Sequence, residues 1–364
     1  MELREYQKES IRKIKELKAT ESGVVSLPTG SGKTIIMSGL AKEVTDRILI
    51  VVMSTELREQ TIEKLKFVCG DNIDVGSVQG KLNEYDNRIV VATRQSLTNS
   101  KSNRLDNIIK GGQFKYIIFD ECHVAVDQIK KIIDSIGNNS IVIGFTATPY
   151  NDKMINVFDK IIYEMSLLKA IKNNYLVEPR AIKVHTNTDI SKVKTLGGEF
   201  IQKHLEEAIN NDDRNNIIVK SYLEYAQDRK HIIVFASGIN HANAITKSFI
   251  DNGISAKSID STIDSKEREN TLEDFRKGKF KVLVNVSILT TGFDFPALDC
   301  VIMARSTKSR ILYTQCLGRV LRLSEGKLDA LIIDIVDITS KFSLVNIDII
   351  FNIAFKDNEN IKEA

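Results

Sequence analysis

Short runs rich in valine and isoleucine recur along the chain, and stretches with helical periodicity separate them. The runs are almost continuously apolar, which is typical of strands buried on both faces of a sheet. Parallel strands need crossover connections, usually helices, and the intervening stretches supply them. The sequence therefore predicts an α/β fold built on parallel sheets. The strands predicted in the first half are 23–26, 48–52, 89–92, 116–119 and 141–145.

The alternation is interrupted once, in a polar stretch that contains Gly197 and Gly198, and then resumes. Adjacent glycines and polar clusters mark loops, so this stretch reads as a connection between two α/β domains. The second half adds predicted strands at 231–235, 255–259, 281–286, 300–304 and 330–334, and predicted helices at 239–252, 266–277 and 310–321. We therefore divide the chain into a first domain (1–170), an inter-domain segment (171–210), a second domain (211–340) and a C-terminal extension (341–364).

Composition narrows the class of protein. The 364 residues carry a formal net charge of +3, and 42% are hydrophobic, as in ordinary globular proteins. The four cysteines form no C-x-x-C pair and the five histidines do not cluster, so neither a zinc nor an iron–sulfur site is expected. The N-terminus lacks the apolar core of a secretory signal, and no apolar run approaches the roughly 20 residues of a membrane span. These features predict a cytoplasmic protein without a membrane segment.

The stretch 27–34 reads LPTGSGKT and lies between an apolar strand and a helix. Gly30 and Gly32 allow backbone N–H groups to curl around a phosphate, and the N-terminus of the helix adds partial positive charge. Lys33 is expected to reach the β- and γ-phosphates of ATP, and the Thr34 hydroxyl to bind Mg²⁺. Leucine stands where the general P-loop pattern has its first glycine, so a glycine-rich turn without a nucleotide stays open.

A second buried run, 116–119, ends in Asp120-Glu121-Cys122-His123. Ligands of open α/β sheets bind at the carboxyl ends of the strands, which is where these acids are expected. Asp120 is expected to hold Mg²⁺ through water, and Glu121 to orient and deprotonate the attacking water. Without the P-loop, the same pair would read as two surface acids at a strand end.

Arg319 and Arg322 lie three residues apart in a predicted helix, so both project from one face. Planar guanidinium groups stabilise the charge that develops during phosphoryl transfer. Taken alone, the pair would instead indicate a solvated basic helix with Arg322 in a salt bridge. The choice depends on the other motifs.

The motifs occur in the order found in superfamily 2 helicases, and together they resemble that family over nearly the whole chain. The Asp-Glu-Cys-His sequence resembles the DExH box, and the sequence from Gln315 to Arg322 resembles motif VI, Q-x-x-G-R-x-x-R. The nearest branch resembles the group of XPB, RadD and UvsW. The other matching segments are Arg4–Gln7 (the adenine-reading segment), Ser54–Leu57 (motif Ia), Thr93–Leu97 (Ib), Thr146–Pro149 (III), Phe235–Ser237 (IV) and Thr290–Pro296 (V).

The resemblance implies two tandem RecA-like parallel-sheet domains with the ATP site in the cleft between them. It implies an ATP-dependent helicase or translocase that acts on DNA, in unwinding or branch migration during repair, recombination or replication. Closure of the cleft around ATP and its opening after hydrolysis would move the strand. Contacts to backbone phosphates carry no sequence information, which suits such a motor.

The same resemblance assigns roles to individual residues. Arg319 and Arg322 become arginine fingers from the second domain. ATP binding is assigned to Arg4, Gln7, Gly30, Ser31, Gly32, Lys33, Thr34, Gly292 and Asp294, and coupling of hydrolysis to movement is assigned to His123, Thr146, Thr148 and Gln315. Contacts to nucleic acid are assigned to Thr55, Thr93, Ser237 and Thr290, with Arg58 and Arg94 as helpers that would otherwise be solvated surface charges.

Several alternatives remain open at this stage. The nucleic acid could be RNA, and the chain could act as an ATP-gated clamp or as the duplex-translocating subunit of a larger complex, without unwinding. A small-molecule P-loop kinase would give no role to the TAT and QxxGRxxR motifs. We expect a monomer, with a protein partner as the source of specificity, and expect any device for specificity in 175–211 or after residue 338.

Overall fold

The computed structural model describes residues 2–149, 152–290, 294–351 and 359–360. They fall into two compact units, Met1–Ser166 and Leu167–Ala364, which we call the first and second unit. Each unit contains a sheet whose long strands are parallel. The predicted α/β class with two parallel sheets is confirmed.

The first unit is an alternation of strands and helices around one eight-stranded sheet. Its central strands are buried along their whole length, as their continuous apolar sequences predict. In chain order its elements are α1 (Glu5–Lys15), β1 (Ser22–Ser26), α2 (Lys33–Glu43), β2 (Ile48–Val52), α3 (Thr55–Cys69), β3 (Val75–Gln79), β4 (Leu82–Asn83), β5 (Ile89–Thr93), α4 (Arg94–Thr98), α5 (Arg104–Ile108), β6 (Tyr116–Phe119), α6 (Val126–Ile136), β7 (Ile141–Thr146), a 3₁₀ turn (Asp152–Asn156) and β8 (Lys160–Glu164).

The strand order of this sheet is β4-β3-β5-β2-β6-β7-β1-β8. All neighbours are parallel except β3 and β4. Consequently β1 lies next to β7 and β7 next to β6, although β1 is far from both in sequence, and the three strands end at the same edge. This arrangement positions the candidate site.

The second unit repeats the plan around a seven-stranded sheet. In chain order its elements are α7 (Leu167–Lys172), β9 (Glu178–Asp189), β10 (Thr195–Leu196), β11 (Glu199–Phe200), α8 (Gln202–Ile209), α9 (Asp212–Tyr225), β12 (Ile232–Phe235), α10 (Ile239–Asp251), β13 (Ala256–Ile259), α11 (Ser265–Arg276), β14 (Val282–Asn285), a 3₁₀ turn (Ile288–Thr290), β15 (Cys300–Met303), α12 (Arg310–Val320), β16 (Asp329–Ile338), α13 (Ile347–Phe351) and β17 (Glu359–Asn360).

The order of the second sheet is β13-β14-β12-β15-β16-β9-β17, parallel except for β17 against β9. Strand β9 lies within the segment 171–210, which the sequence predicted as a connection between domains. The structure instead makes it part of the second sheet, because β9 pairs with β16 from Glu178 to Asp189. The two units divide at Ser166, so the long connection predicted from the sequence is not observed.

The rest of that segment folds onto the second unit. Strands β10 and β11 form a hairpin around Gly197 and Gly198, both of which have positive φ. The hairpin and α8 contribute to a small apolar cluster with the predicted C-terminal extension; the cluster consists of Ile190, Val193, Phe200, Leu205 and Ile209, against which Phe342 and Leu344 pack. In the described part of the chain, no helix is both long and apolar enough to cross a membrane.

Candidate active site

Three neighbouring strands of the first sheet carry the segments that the sequence singled out. The glycine-rich turn follows β1, the two acids follow β6, and Thr146 ends β7. Because these strands are parallel neighbours, the three segments leave the sheet at one edge. That edge is where open α/β sheets bind their ligands.

The turn before α2 has the backbone that a phosphate loop requires. Gly30 and Gly32 have φ of 85° and 82°, a left-handed conformation that glycine adopts without strain. Lys33 is the first residue of α2 and is 9% exposed, and the hydroxyl of Ser31 donates to the carbonyl of Pro28 at 2.7 Å. Helix α2 therefore begins directly after the turn.

The segment predicted to read adenine lies beside this turn. The side chain of Gln7 is buried and its Oε1 accepts from the backbone N–H of Arg4 at 2.9 Å. A Cβ atom added to Gly32 would lie only 2.9 Å from Gln7 Nε2, so the two residues are in close contact. The hydroxyl of Tyr6 donates to the carbonyl of Ser31, a contact that no motif of the sequence predicted.

Lys33 and Glu121 form an ion pair, with Nζ and Oε1 3.2 Å apart. Glu121 has a φ of 47°, in the left-handed region that costs a residue with a side chain about 1 kcal/mol or more. Its backbone N–H donates to the carboxylate of Asp120 at 3.0 Å. The turn after β6 thus directs Glu121 toward the phosphate loop.

His123 connects this turn to the end of β7. Its Nδ1 lies 2.8 Å from the hydroxyl of Thr146 and 3.4 Å from Glu121 Oε2. The same hydroxyl accepts from the backbone N–H of Thr148 at 2.9 Å. Burial lowers the pKa of His123, and Lys33 lowers it further while Glu121 opposes the shift. At neutral pH the ring is therefore expected to be uncharged, and it bridges the segments by hydrogen bonding.

The residues around the turn fit a nucleotide with Mg²⁺. Within the described residues, the hydroxyl of Thr29 is buried without a hydrogen-bond partner, and Lys33 Nζ has only its ion pair with Glu121. Such orphaned donors are what a phosphate would satisfy. Thr34 and Asp120, both partly exposed, are the hydroxyl and carboxylate available for Mg²⁺.

Two of the residues predicted to contact nucleic acid also lie at this edge of the first sheet. Thr55 begins α3 after β2, and its hydroxyl accepts from Gln79 Nε2. Thr93 ends β5, is 4% exposed, and donates to the hydroxyl of Ser96 at 2.7 Å. In this structure both hydroxyls are engaged within the protein.

The two predicted basic helpers make hydrogen bonds within the protein. Arg58 is 8% exposed and donates to Ser77 and, at 2.9 Å, to Glu59. Arg94 donates to the carbonyl of Val124 at 2.8 Å and to Gln128 Oε1 at 3.0 Å, and burial lowers its pKa. Partners within the first unit hold each guanidinium group, and contact with nucleic acid stays a prediction for both.

Another predicted nucleic-acid contact lies in the second unit. Ser237 follows β12 and was predicted to contact a backbone phosphate, but it is fully buried. Its hydroxyl lies 2.9 Å from Nδ1 of His241, which is itself buried. The side chain of Thr290 and the whole of Gly292 lie outside the described residues.

The motif VI arginines occupy the end of α12 and the residues after it. Arg319 is 7% exposed. Arg322 forms an ion pair with Asp294, so the salt bridge considered for it is present and joins motifs V and VI. Burial lowers the pKa of Arg322 to about 10. Gln315 lies on the same helix and is partly exposed.

A buried polar network that the sequence did not predict supports the second sheet. Arg214 on α9 donates to both carboxylate oxygens of Asp337 on β16, at 2.7 and 2.9 Å, and neither side chain is exposed. Thr186 donates to the same carboxylate at 2.7 Å, and Nη1 of Arg214 lies 3.4 Å from His241. Burial, together with Arg214, lowers the pKa of His241 to about 3. Ser237 joins this network through His241, and its contact with nucleic acid stays a prediction.

Comparison with known proteins gives two family matches, one in each unit. Residues 1–151 match the model described as "Type III restriction enzyme, res subunit". Residues 213–324 match "Helicase conserved C-terminal domain". The first match contains the glycine-rich turn and the acids, and the second contains the arginines.

Relatives and solved structures agree with these matches. The candidate ATP-dependent helicase IRC3 of Saccharomyces cerevisiae is 32% identical over 366 residues, which cover 93% of this chain and 52% of that protein. The DNA 3'-5' translocase XPB2 of Sulfurisphaera tokodaii is 24% identical, over 92% of this chain and 82% of that protein. The DNA-bound restriction-modification enzyme LlaBIII matches in fold with a TM-score of 0.66 at 17% identity, over 93% of this chain and 28% of its own.

The class that fold and site define is a protein with two RecA-like parallel-sheet units. Within that class, the chain belongs to helicase superfamily 2 and is related to the XPB group. It spans about half the length of the yeast relative.

Proposed function

We propose that this chain is an ATP-dependent nucleic-acid helicase or translocase that acts on DNA. The observation that carries the proposal is the convergence of Lys33, Glu121 and His123–Thr146 at one edge of the first sheet, with separations of 3.2 and 2.8 Å. A lysine next to a carboxylate suits the binding and hydrolysis of a nucleotide. Because His123 connects that carboxylate to Thr146 on the neighbouring strand, hydrolysis can be coupled to movement. The family match of the second unit supports the same function.

In this proposal the chain's residues divide the work of phosphoryl transfer. Lys33 and the N–H groups of the turn hold the phosphates, and Thr34 and Asp120 hold Mg²⁺, which neutralises developing charge when bound. Glu121 orients the attacking water and accepts its proton. Arg319 and Arg322 of the second unit stabilise the transferring phosphoryl group.

The proposal assigns the remaining steps to the coupling residues. His123 and Thr146 transmit the state of the acids to β7, so that hydrolysis is coupled to movement. Nucleic acid would then be gripped mainly through backbone N–H groups and the hydroxyls of Thr55 and Thr93. The relationship to the DNA 3'-5' translocase XPB2 supports DNA over RNA as the substrate.

An ATPase titration tests the proposal. Turnover is measured with single-stranded DNA, duplex, forked DNA and RNA, for the wild type and for Glu121→Gln. We expect DNA to stimulate turnover, and the variant to lose about 100-fold or more while still binding ATP, because it keeps the site but lacks the base. Asp134→Asn, at an exposed acid of α6, is the matched control and should retain wild-type turnover.

The outcomes separate the candidates. If RNA alone stimulates ATP turnover, RNA and not DNA is the substrate. If DNA stimulates turnover without strand displacement, the chain acts as a clamp or a duplex translocase. Wild-type turnover in Glu121→Gln would refute the assigned chemistry.

We further propose that the chain works as a cytoplasmic monomer and that a protein partner supplies specificity. Light scattering on the purified chain and fractionation of source cells test the first two points. Co-purification from the source cells, with and without the hairpin 194–200, tests the third.

A further inference from the structure

Lys327 lies in the turn between α12 and β16, and its ammonium group donates hydrogen bonds to three backbone carbonyls. They belong to Pro296 at 3.1 Å, Arg322 at 3.0 Å, and Val320. Lys327 is partly exposed, and its bonds to Val320 and Arg322 are partly buried. No motif of the sequence singled this lysine out.

The three carbonyls belong to the segments that carry Arg319, Arg322 and Asp294, to which the proposed function assigns contacts with ATP. Val320 is the last residue of α12, where helical carbonyls lack intrahelical partners and the helix dipole favours a cation. Arg322 lies two residues after Val320, and its guanidinium pairs with Asp294, two residues before Pro296. One ammonium group thus ties the backbone of motif V to the backbone of motif VI.

We infer that Lys327 is a positioning residue for ATP hydrolysis, because it fixes the backbone from which Arg319, Arg322 and Asp294 project. The inference rests on the proposed function, in which the arginines stabilise the transferring phosphoryl group. Misplacement of such a group by about 1 Å can cost about 100-fold in rate. Lys327 itself touches carbonyls only, so it acts through the arginines.

The charge of Lys327 matters to this role. Burial lowers its pKa to about 8; Asp299 and Asp329 oppose the shift, whereas Arg322 and Arg229 add to it. Below pH 8 the ammonium has one hydrogen for each carbonyl. As the pH rises above about 8, the neutral amine keeps two hydrogens for three carbonyls, so the connection loosens.

The experiment measures DNA-stimulated ATP turnover of the full chain from pH 6.5 to 9.5. The variants are Lys327→Met, Lys327→Arg and the control Lys230→Met, which alters another, exposed lysine. We expect Lys327→Met to lose about 10- to 100-fold in kcat, while KM for ATP changes less than about threefold. The wild type should lose turnover with a midpoint near pH 8, and Lys327→Arg, which stays charged, should lack this decline.

Two results would overturn the inference. One is a kcat of Lys327→Met equal to that of Lys230→Met. The other is an alkaline decline that persists unchanged in Lys327→Arg. If Lys327→Met does not fold, the pH profile of Lys327→Arg against the wild type decides alone.

A second measurement separates this inference from the proposed function. Hydrogen exchange of the peptide 317–323, corrected for the intrinsic rate, needs no turnover. We expect it to accelerate above pH 8 in the wild type and not in Lys327→Arg. A chain that shows this exchange but hydrolyses no ATP would refute the proposed function, whereas unaltered exchange would refute the connection made by Lys327.

Discussion

At the scale of single residues, the second unit depends on charges that are removed from water. Arg214 and Asp337 are fully buried, and their pairing is completed by hydroxyls of Thr186 and Ser306. Breaking one side of such a pair leaves the other charge buried without compensation, which costs about 3–5 kcal/mol. The pair is therefore more informative about stability than the exposed ion pairs of the helices.

Asp337→Asn is expected to lower the free energy of unfolding of the unit 167–364 by about 3 kcal/mol or more, because it leaves Arg214 unpaired. Urea unfolding followed by circular dichroism measures the change. Asp251→Asn, at an exposed carboxylate paired with Lys247, is the control and should change it by less than about 1 kcal/mol. Equal effects of the two substitutions would contradict the role of the buried pair.

Asp334 is a buried acid that makes the stability of the second unit depend on pH. Burial raises its pKa to about 6 from 3.8, although it accepts hydrogen bonds from Tyr313 and the N–H of Ile347. Between these two pH values the unfolded chain is ionised at this position while the folded protein keeps its proton. The contribution of Asp334 to the free energy of unfolding therefore falls as the pH rises from about 4 to about 6, by about 3 kcal/mol.

Asp334→Asn cannot ionise and should lack this decline. Relative to the wild type, the variant should gain about 3 kcal/mol between pH 4 and pH 7 in the urea unfolding of the same unit. A constant difference across that range would show that Asp334 titrates normally.

At the scale of elements, continuous apolar runs were sufficient to predict strands. The predictions 48–52 and 116–119 agree with β2 and β6 residue for residue, and the predicted helices 239–252 and 310–321 end one residue beyond α10 and α12. Strand β9 was missed because polar and apolar residues mix along it. The strand is next to the last in the sheet order, and only part of it is buried. Its identity as a strand depends on pairing with β16, about 150 residues later.

The candidate site divides in the same way. The glycine turn, the acids and the order of the motifs could be predicted because local sequence determines them. The position of Arg58 could not, because Ser77 is a partner that only the folded chain brings to it. The partner of Ser237, His241, is close in sequence, but no local pattern indicates that both side chains are buried. The role of Lys327 could not be predicted either, because all three of its acceptors are backbone carbonyls, which no sequence motif marks.

The position of β9 predicts where the second unit can be cut. A fragment 167–364 should fold cooperatively, whereas a fragment 211–364 should be unfolded or aggregate, because it leaves β16 unpaired along one edge. Circular dichroism and thermal melting of the two fragments check this. Cooperative melting of the shorter fragment would restore the inter-domain reading of 171–210.

At the scale of the whole molecule, the proposed function divides its chemistry between two units that each have their own apolar core. The phosphate turn and acids belong to the first, and the arginines to the second. Neither unit alone contains every group that the proposed reaction needs.

The isolated fragment 1–166 is therefore expected to bind ATP but to turn it over about a thousandfold more slowly than the full chain, because it lacks the arginines. Binding of a fluorescent ATP analogue and release of phosphate measure the two properties. In the full chain, Arg319→Ala should lower turnover by a similar factor, with Arg268→Ala as the control. Undiminished turnover by the fragment would assign hydrolysis to the first unit alone.

The left-handed backbone of Glu121 bears on how such a chain can evolve. For folding alone, glycine would be the residue of choice after β6, since any side chain there is conformationally disfavoured. In the proposed function, the carboxylate of Glu121 is needed for turnover, although a side chain at this position lowers the stability of the fold. Lineages that lose the need for hydrolysis should drift toward glycine or asparagine here while keeping the rest of the sheet intact.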